Sequence, residues 1–337
     1  MNNVANLPNA QSYFVELLKR SVPQHVKLAE EMSQLLDISA DSAYRRIRCE
    51  TDITLNEALN LCRHFDISLD SLSPSNPNSV MFRVNKLTVE MDSFTGYLDQ
   101  LCEDLEWITR FENGEVIYAA EDIPVFYNFY FPQLAVFKMF YWTKSIQNVT
   151  ELQGKKIEEL VLPETWAPKV GRIGELFLKL NSIDLWSEDT VKSVIRQVKF
   201  YWEAGFFGER ETALAVVDQL GNLIEMVQKQ SETGKKMQFS KGQFTNSNYT
   251  LYVSDLMIGN NCVFLKAQDK MASYIGFHSF NYMRTTDVFF NNQSEIWARN
   301  LIAKSTLISS VAERARNQFF KLNFAQVEGL RKEILEA

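Results

Sequence analysis

Histidine is scarce in this chain, with three in 337 residues, and there are only four cysteines. Cys49, Cys62, Cys102 and Cys262 are scattered and form no C-x-x-C pair, so neither a disulfide framework nor a zinc ligand set is expected. Reduced thiols fit a cytoplasmic location. His25, His64 and His278 are equally dispersed. There is no P-loop and no Gly-x-Ser-x-Gly elbow, and Gly171-Arg172-Ile173-Gly174 lacks the third glycine and the preceding strand of a dinucleotide fingerprint. No catalytic residue, metal or cofactor is therefore assigned, and no enzyme activity is expected. The longest uncharged run, Ile123 to Phe137, carries two prolines and falls short of the roughly 20 apolar residues a spanning helix needs, so no membrane partner is expected. MNNVANLPNAQ lacks the basic start and apolar core of a signal peptide. An excess of positive charge is missing too: the net charge is −7.

What is present is a chain with 46% hydrophobic residues, long enough for two domains. Its most informative stretch runs from Val26 to Glu50. Leu28, Met32 and Leu35/Leu36 mark one helical face, and Asp37-Ile38-Ser39 is a hinge. A second helix follows, with Ala43 and Ile47 as its narrow apolar side. Ser39 stands where an N-cap belongs, and Asp41 in the first turn suits the helix dipole. The remaining residues, Ser42, Tyr44, Arg45, Arg46 and Arg48, are polar, aromatic or basic.

On Leu35-Leu36-Asp37-Ile38-Ser39, on Ser33 four residues before Asp37 and on Tyr44-Arg45-Arg46-Ile47, this region resembles the helix-turn-helix module of phage-repressor and Cro-like regulators. The resemblance spans about Gln11 to Leu72, and the family usually carries glycine where this chain has Asp37. It implies a second helix that enters the major groove of double-stranded DNA, with Ser39, Asp41, Ser42, Tyr44, Arg45, Arg46 and Arg48 as the contact set. At about 100° per residue Asp41, Arg45 and Arg48 point most directly away from Ala43 and Ile47. Arg45 is then the residue to read a guanine edge and Arg48 to hold a phosphate. Arg46 lies nearer the buried edge, where a phosphate contact or an intradomain ion pair is expected. Residues 1–75 hold seven Lys/Arg against ten Asp/Glu, so any binding must rest on a focused patch rather than on bulk charge.

Along the chain, Ser12 starts a first helix with Phe14, Leu17 and Leu18 on one face, and Thr54 with Glu57 forms a capping box opening another. A helix-turn-helix domain is expected over 1–72, a linker rich in turn-formers over 73–80, and a dimerisation and effector domain over 81–337. Val84, Leu87, Met91, Phe94, Leu98, Leu101, Leu105 and Ile108 alternate in steps of three and four, a heptad seam. The seam predicts one connecting helix of about 38 Å. It is read as a homodimer contact, or else as an amphipathic helix packed on its own domain.

Beyond it, 114–120 and 124–131 read as strands, Pro132 opens a helix, and helices follow at 187–202 and 212–229. Residues 235–245 read as a polar loop. Runs at 249–258, 262–267 and 271–278 predict an antiparallel meander, before two helices at about 294–308 and 311–335. The aromatic density from Tyr118 to Trp142 reads as core more readily than as a ligand pocket. The fold class is α+β. The function expected is a DNA-binding one-component transcriptional regulator, homodimeric, with room for a small-molecule effector. The alternatives are a protein-interaction module with a degenerate helix-turn-helix and an enzyme fused to a DNA-binding head.

Overall fold

The computed structural model describes residues 10–22, 27–65, 67, 79–85, 87–268, 270–278 and 281–337. It divides into two compact units, Met1–Met81 and Phe82–Ala337, here called head and body. Most of the expected linker, 73–78, and His25 lie outside the described residues.

The described head is all helical: α1 (Ala10–Ser21), α2 (Leu28–Leu36), α3 (Ala40–Ile47) and α4 (Leu55–His64). Phe14, Leu18, Met32, Ala43, Leu61 and Cys62 form a thin buried core, to which each helix contributes. The capping box at α4 is formed, with Thr54 accepting from Glu57 N and Glu57 accepting from Thr54 N.

The body is α+β. Its mixed sheet is built from β1 (Arg83–Val84), β2 (Glu115–Ala120), β3 (Asn181–Trp186), β4 (Lys235–Gln238), β5 (Gln243–Val253), β6 (Cys262–Ala267), β7 (Lys270–Phe277), β8 (Asn281–Thr285) and β9 (Thr306–Leu307). The order is β1-β8-β7-β6-β2-β3-β5-β4, with β9 also on β5. β2, β3 and β5 run parallel, while β6–β8 and the remaining pairs are antiparallel. The meander thus comprises β6, β7 and β8 and excludes β5, which crosses over to lie beside β3. Val116, Tyr118 and Ala120 face a large core, whereas Ile117 and Ala119 face a smaller one. The large core also takes residues of α5 (Asp92–Thr109), α6 (Val125–Asn128), α7 (Pro132–Tyr141), α8 (Trp166–Phe177), α9 (Asp189–Glu203), α10 (Arg210–Thr233) and α12 (Glu313–Glu336). The small core takes Ala298 and Leu301 of α11 (Val288–Ala303), giving three layers with helices on both sheet faces.

Four expectations need correction. The long connecting helix does not form over 83–91: Val84 lies in β1, paired with Met283, and α5 begins at Asp92. Gln147 Nε2 lies within hydrogen-bond reach of the carbonyls of Thr88 and Glu90 and of Ser93 Oγ, and holds this segment in a non-helical course. Phe94, Leu98, Leu105 and Ile108 of α5 are buried in the core of their own chain, and Leu101, with Leu87 and Met91 ahead of the helix, packs against it. Seven of the eight seam side chains are thus spent within one body, and Val84 is exposed. Second, 124–131 holds the short helix α6, not a strand: it is buried on nearly every side, so no alternation between wet and dry faces selects a strand. Third, β3 was not expected, because Ser182 and Asp184 put polar groups on its core-facing side. Fourth, the polar loop at 235–245 is β4 and the start of β5, joined through Gly242 at φ 63.

Candidate functional site

In the head, α2 and α3 are joined through Asp37, which adopts the left-handed conformation (φ 52, ψ 49) that favours glycine. Asp is among the few other residues that reach it at modest cost. The turn is held by Ser33, whose backbone carbonyl accepts from Ile38 N at 3.1 Å while its hydroxyl donates to Ile38 O at 2.6 Å. Ser39 then caps α3, accepting from Ser42 N at 3.2 Å. Ala43 is fully buried and Ile47 half-buried, so α3 is anchored on one side only.

The expected contact residues divide into distinct environments. Asp41, Tyr44 and Arg45 are exposed, and Ser42 is half-buried. Arg46 faces inward: its Nη2 lies 2.8 Å from Glu57 Oε1, its Nε 3.2 Å from Oε2, and both side chains are largely covered. Of the two expectations for Arg46, the intradomain ion pair is formed. Burial alone would raise the Glu57 carboxyl, but the Arg46 guanidinium and Thr54 outweigh it and hold Glu57 below its ordinary value. Arg48 is exposed just past α3 and gives a bidentate contact to Glu50 at 2.7 and 3.0 Å. Arg45 makes no ion pair among the described residues. Of the three clustered arginines it alone is free to meet an incoming acceptor. Gln11, at the start of α1, donates to Arg46 O and Thr51 O and accepts from Ile53 N, which fixes the end of α3. Gln11 did not stand out in the sequence, because it acts across 35 to 42 residues, and Glu57 stood out as half of a capping box and not as the partner of Arg46, 11 residues away.

The body contains a cleft between α5 and the β6–β8 meander. Its polar part, open to solvent, is lined by Arg83, Gln100, Asp104, Tyr274 and Arg284 among others. Arg284 Nε lies 3.1 Å from Asp104 Oδ1 and 3.1 Å from the Tyr274 hydroxyl. The guanidinium stands 5.9 Å from the centres of both the Trp107 and Tyr274 rings. Burial pushes Asp104 above the usual carboxylate range despite the opposing guanidinium. Burial works against the Arg284 charge, but Tyr274 and Asp104 more than offset it. A narrow apolar part adjoins it, sharing Leu101, Asp104, Tyr274 and Tyr282 and walled by Leu105, Phe126, Val263 and Leu265. Leu101 and Leu105 belong to the heptad seam, and Phe126 to the aromatic-rich stretch. The Asp104–Arg284 pair was not legible, since its partners are 180 residues apart.

Deeper in the body a second polar group is sealed in the core. Asp184 Oδ2 accepts from Tyr127 at 2.7 Å and from Tyr249 at 3.3 Å. Lys236 donates to Phe177 O at 2.6 Å and lies over the Phe177 ring. Burial raises Asp184 and lowers Lys236, and each one's charge opposes the shift of the other. Among the described residues no helix is long and apolar enough to cross a membrane. Comparison of the chain with protein-family models, with characterised proteins and with solved structures finds no match.

Proposed function

We propose that the chain is a DNA-binding one-component transcriptional regulator that acts as a homodimer, its head reading DNA and its body receiving a small-molecule effector. The observation that carries the reading is the outer face of α3. It is capped, anchored by one alanine and one half-buried isoleucine, and presents Asp41, Tyr44 and an unpaired Arg45 to solvent. A helix so poor in apolar contacts, following a tight left-handed turn, has the form that enters a major groove. In this reading Arg45 contacts a base edge. Arg48 reaches a phosphate by leaving Glu50, and Arg46 stiffens the helix through Glu57. With most of the seam buried in its own chain, the two-fold contact uses another surface.

Selection of bound sequences from random DNA tests the reading. A palindromic site is expected, its half-sites about one helical turn or a multiple apart. Arg45→Ala should flatten base preference at one position of each half-site, a loss of about 1–3 kcal/mol of discrimination. Uniform weakening across all sequences would instead reassign Arg45 to the backbone. The salt dependence should be shallow, because few phosphates are neutralised. The acidic head, with two of its three clustered arginines held by its own carboxylates, favours a protein-interaction module as the second reading. An unenriched pool would select it.

A further inference from the structure

We propose that the cleft between α5 and the β6–β8 meander binds a small amphipathic molecule of zero net charge, through an apolar body and a hydrogen-bonding polar end. Two neighbouring spaces sharing four residues differ sharply in chemistry. One is walled by aliphatic and aromatic side chains, and the other is floored by a carboxylate and a guanidinium bonded to each other. This is the form of a small-molecule site: mostly apolar, with a few convergent polar groups. A buried ion pair is weak evidence for a stabilising role, since apolar residues often do as well in its place. Its position at an open cleft beside an apolar recess is what a ligand site requires.

The charges select the ligand class. Asp104 and Arg284 cancel, so a carboxylate drawn to Arg284 meets Asp104, and an ammonium drawn to Asp104 meets Arg284. A neutral group with both a donor and an acceptor, such as a carboxamide, can bond to both without separating them. The recess is narrow and wholly apolar, which sets the body at a slim, unbranched aliphatic chain.

The cleft also touches the strand that follows the expected linker. Arg83 of β1 and Asn85 line its polar part, and Asn281 Nδ2 donates to Asn85 O at 2.8 Å. An occupant therefore bears on the first strand of the body. That it acts as an effector rests on the regulator reading; that it binds does not.

The test uses the full-length protein and three six-carbon probes, hexanamide, hexanoate and hexylamine, titrated by ligand-observed NMR. Saturable binding of hexanamide, at least about tenfold tighter than either charged probe, is expected; tenfold corresponds to about 1.4 kcal/mol. Asp104→Asn keeps the shape and removes the negative charge, so the preference should move to hexanoate by a similar factor, with the far-ultraviolet circular dichroism unchanged. Leu105→Trp fills the recess and should abolish binding of all three. The proposal is overturned by failure of hexanamide to saturate, or by an Asp104→Asn variant whose preference is that of the parent. Hexanamide that binds without changing affinity for a selected DNA site removes the effector role alone. Failure to recover any DNA site counts against the regulator reading and leaves the cleft's ligand standing.

Discussion

Head and body solve the problem of a polar group near a core in opposite ways. In the head, Arg46 and Glu57 stay at the boundary, partly wet, and tie α3 to the start of α4. In the body, Asp184 and Lys236 are carried fully inside, beneath the helical layer. A thin core of short helices cannot offset the burial of a charge, whereas a sheet covered on both faces can. The difference teaches where each unit is vulnerable: the head to loss of a few local contacts, the body to loss of one counter-charge.

The largest effect should come from the body. Lys236→Met removes the buried charge that opposes the shift of Asp184 and leaves Phe177 O without its donor, and should lower stability by about 1–3 kcal/mol. All six tryptophans lie in the body, so emission during denaturant unfolding reads it directly. Asp184→Asn with Lys236→Met should recover more than about 1 kcal/mol of that loss, a coupling that a double-mutant cycle would show. Additive losses would mean that the two groups do not sense each other, and the contrast with the head would fail.

In the head, Glu57→Gln should cost about 1 kcal/mol, because the pair is only partly covered. Its pH dependence sharpens the comparison. A carboxyl held below its unfolded value contributes stability above that value, about 4.3, and loses it as the pH falls through the lower folded value. The protection of α3 amides from exchange, taken relative to their intrinsic rates at each pH, should therefore fall on acidification below about pH 4 in the parent, and the variant should show less of this change.

The smallest effect is expected at the turn. Asp37→Gly removes the cost of a left-handed non-glycine residue and adds freedom to the unfolded chain, so the head should gain less than about 1 kcal/mol. A loss would mean that the Asp37 side chain supports the turn in a way its backbone angles do not reveal.

Much of the head was legible because its determinants are local. The Thr54–Glu57 box, the Ser39 cap and the Ala43/Ile47 spacing all act within four residues. The two residues that fix the exit of α3, Gln11 and Glu57, were not, because their partners there come from another segment. In the body β2, β6, β7 and the helix after Pro132 followed from their residues, and α6, β3 and β4 did not. Asp184 shows the reason: read alone it argues against a buried strand, and only Tyr127, Tyr249 and Lys236, from distant segments, make its position tenable.

The sequence by itself determined the α+β class, the helix pair whose capped second member turns Arg45 outward, and the absence of a long apolar span. Tertiary structure alone decided that the heptad seam is buried in its own chain, that Arg46 is tied while Arg45 is not, and that a carboxylate of α5 meets a guanidinium of β8. The reason is range. Caps and helical faces are set by neighbours a turn away, but which side chain an apolar stripe covers, and which charge a buried charge meets, depends on segments that only the folded chain brings together.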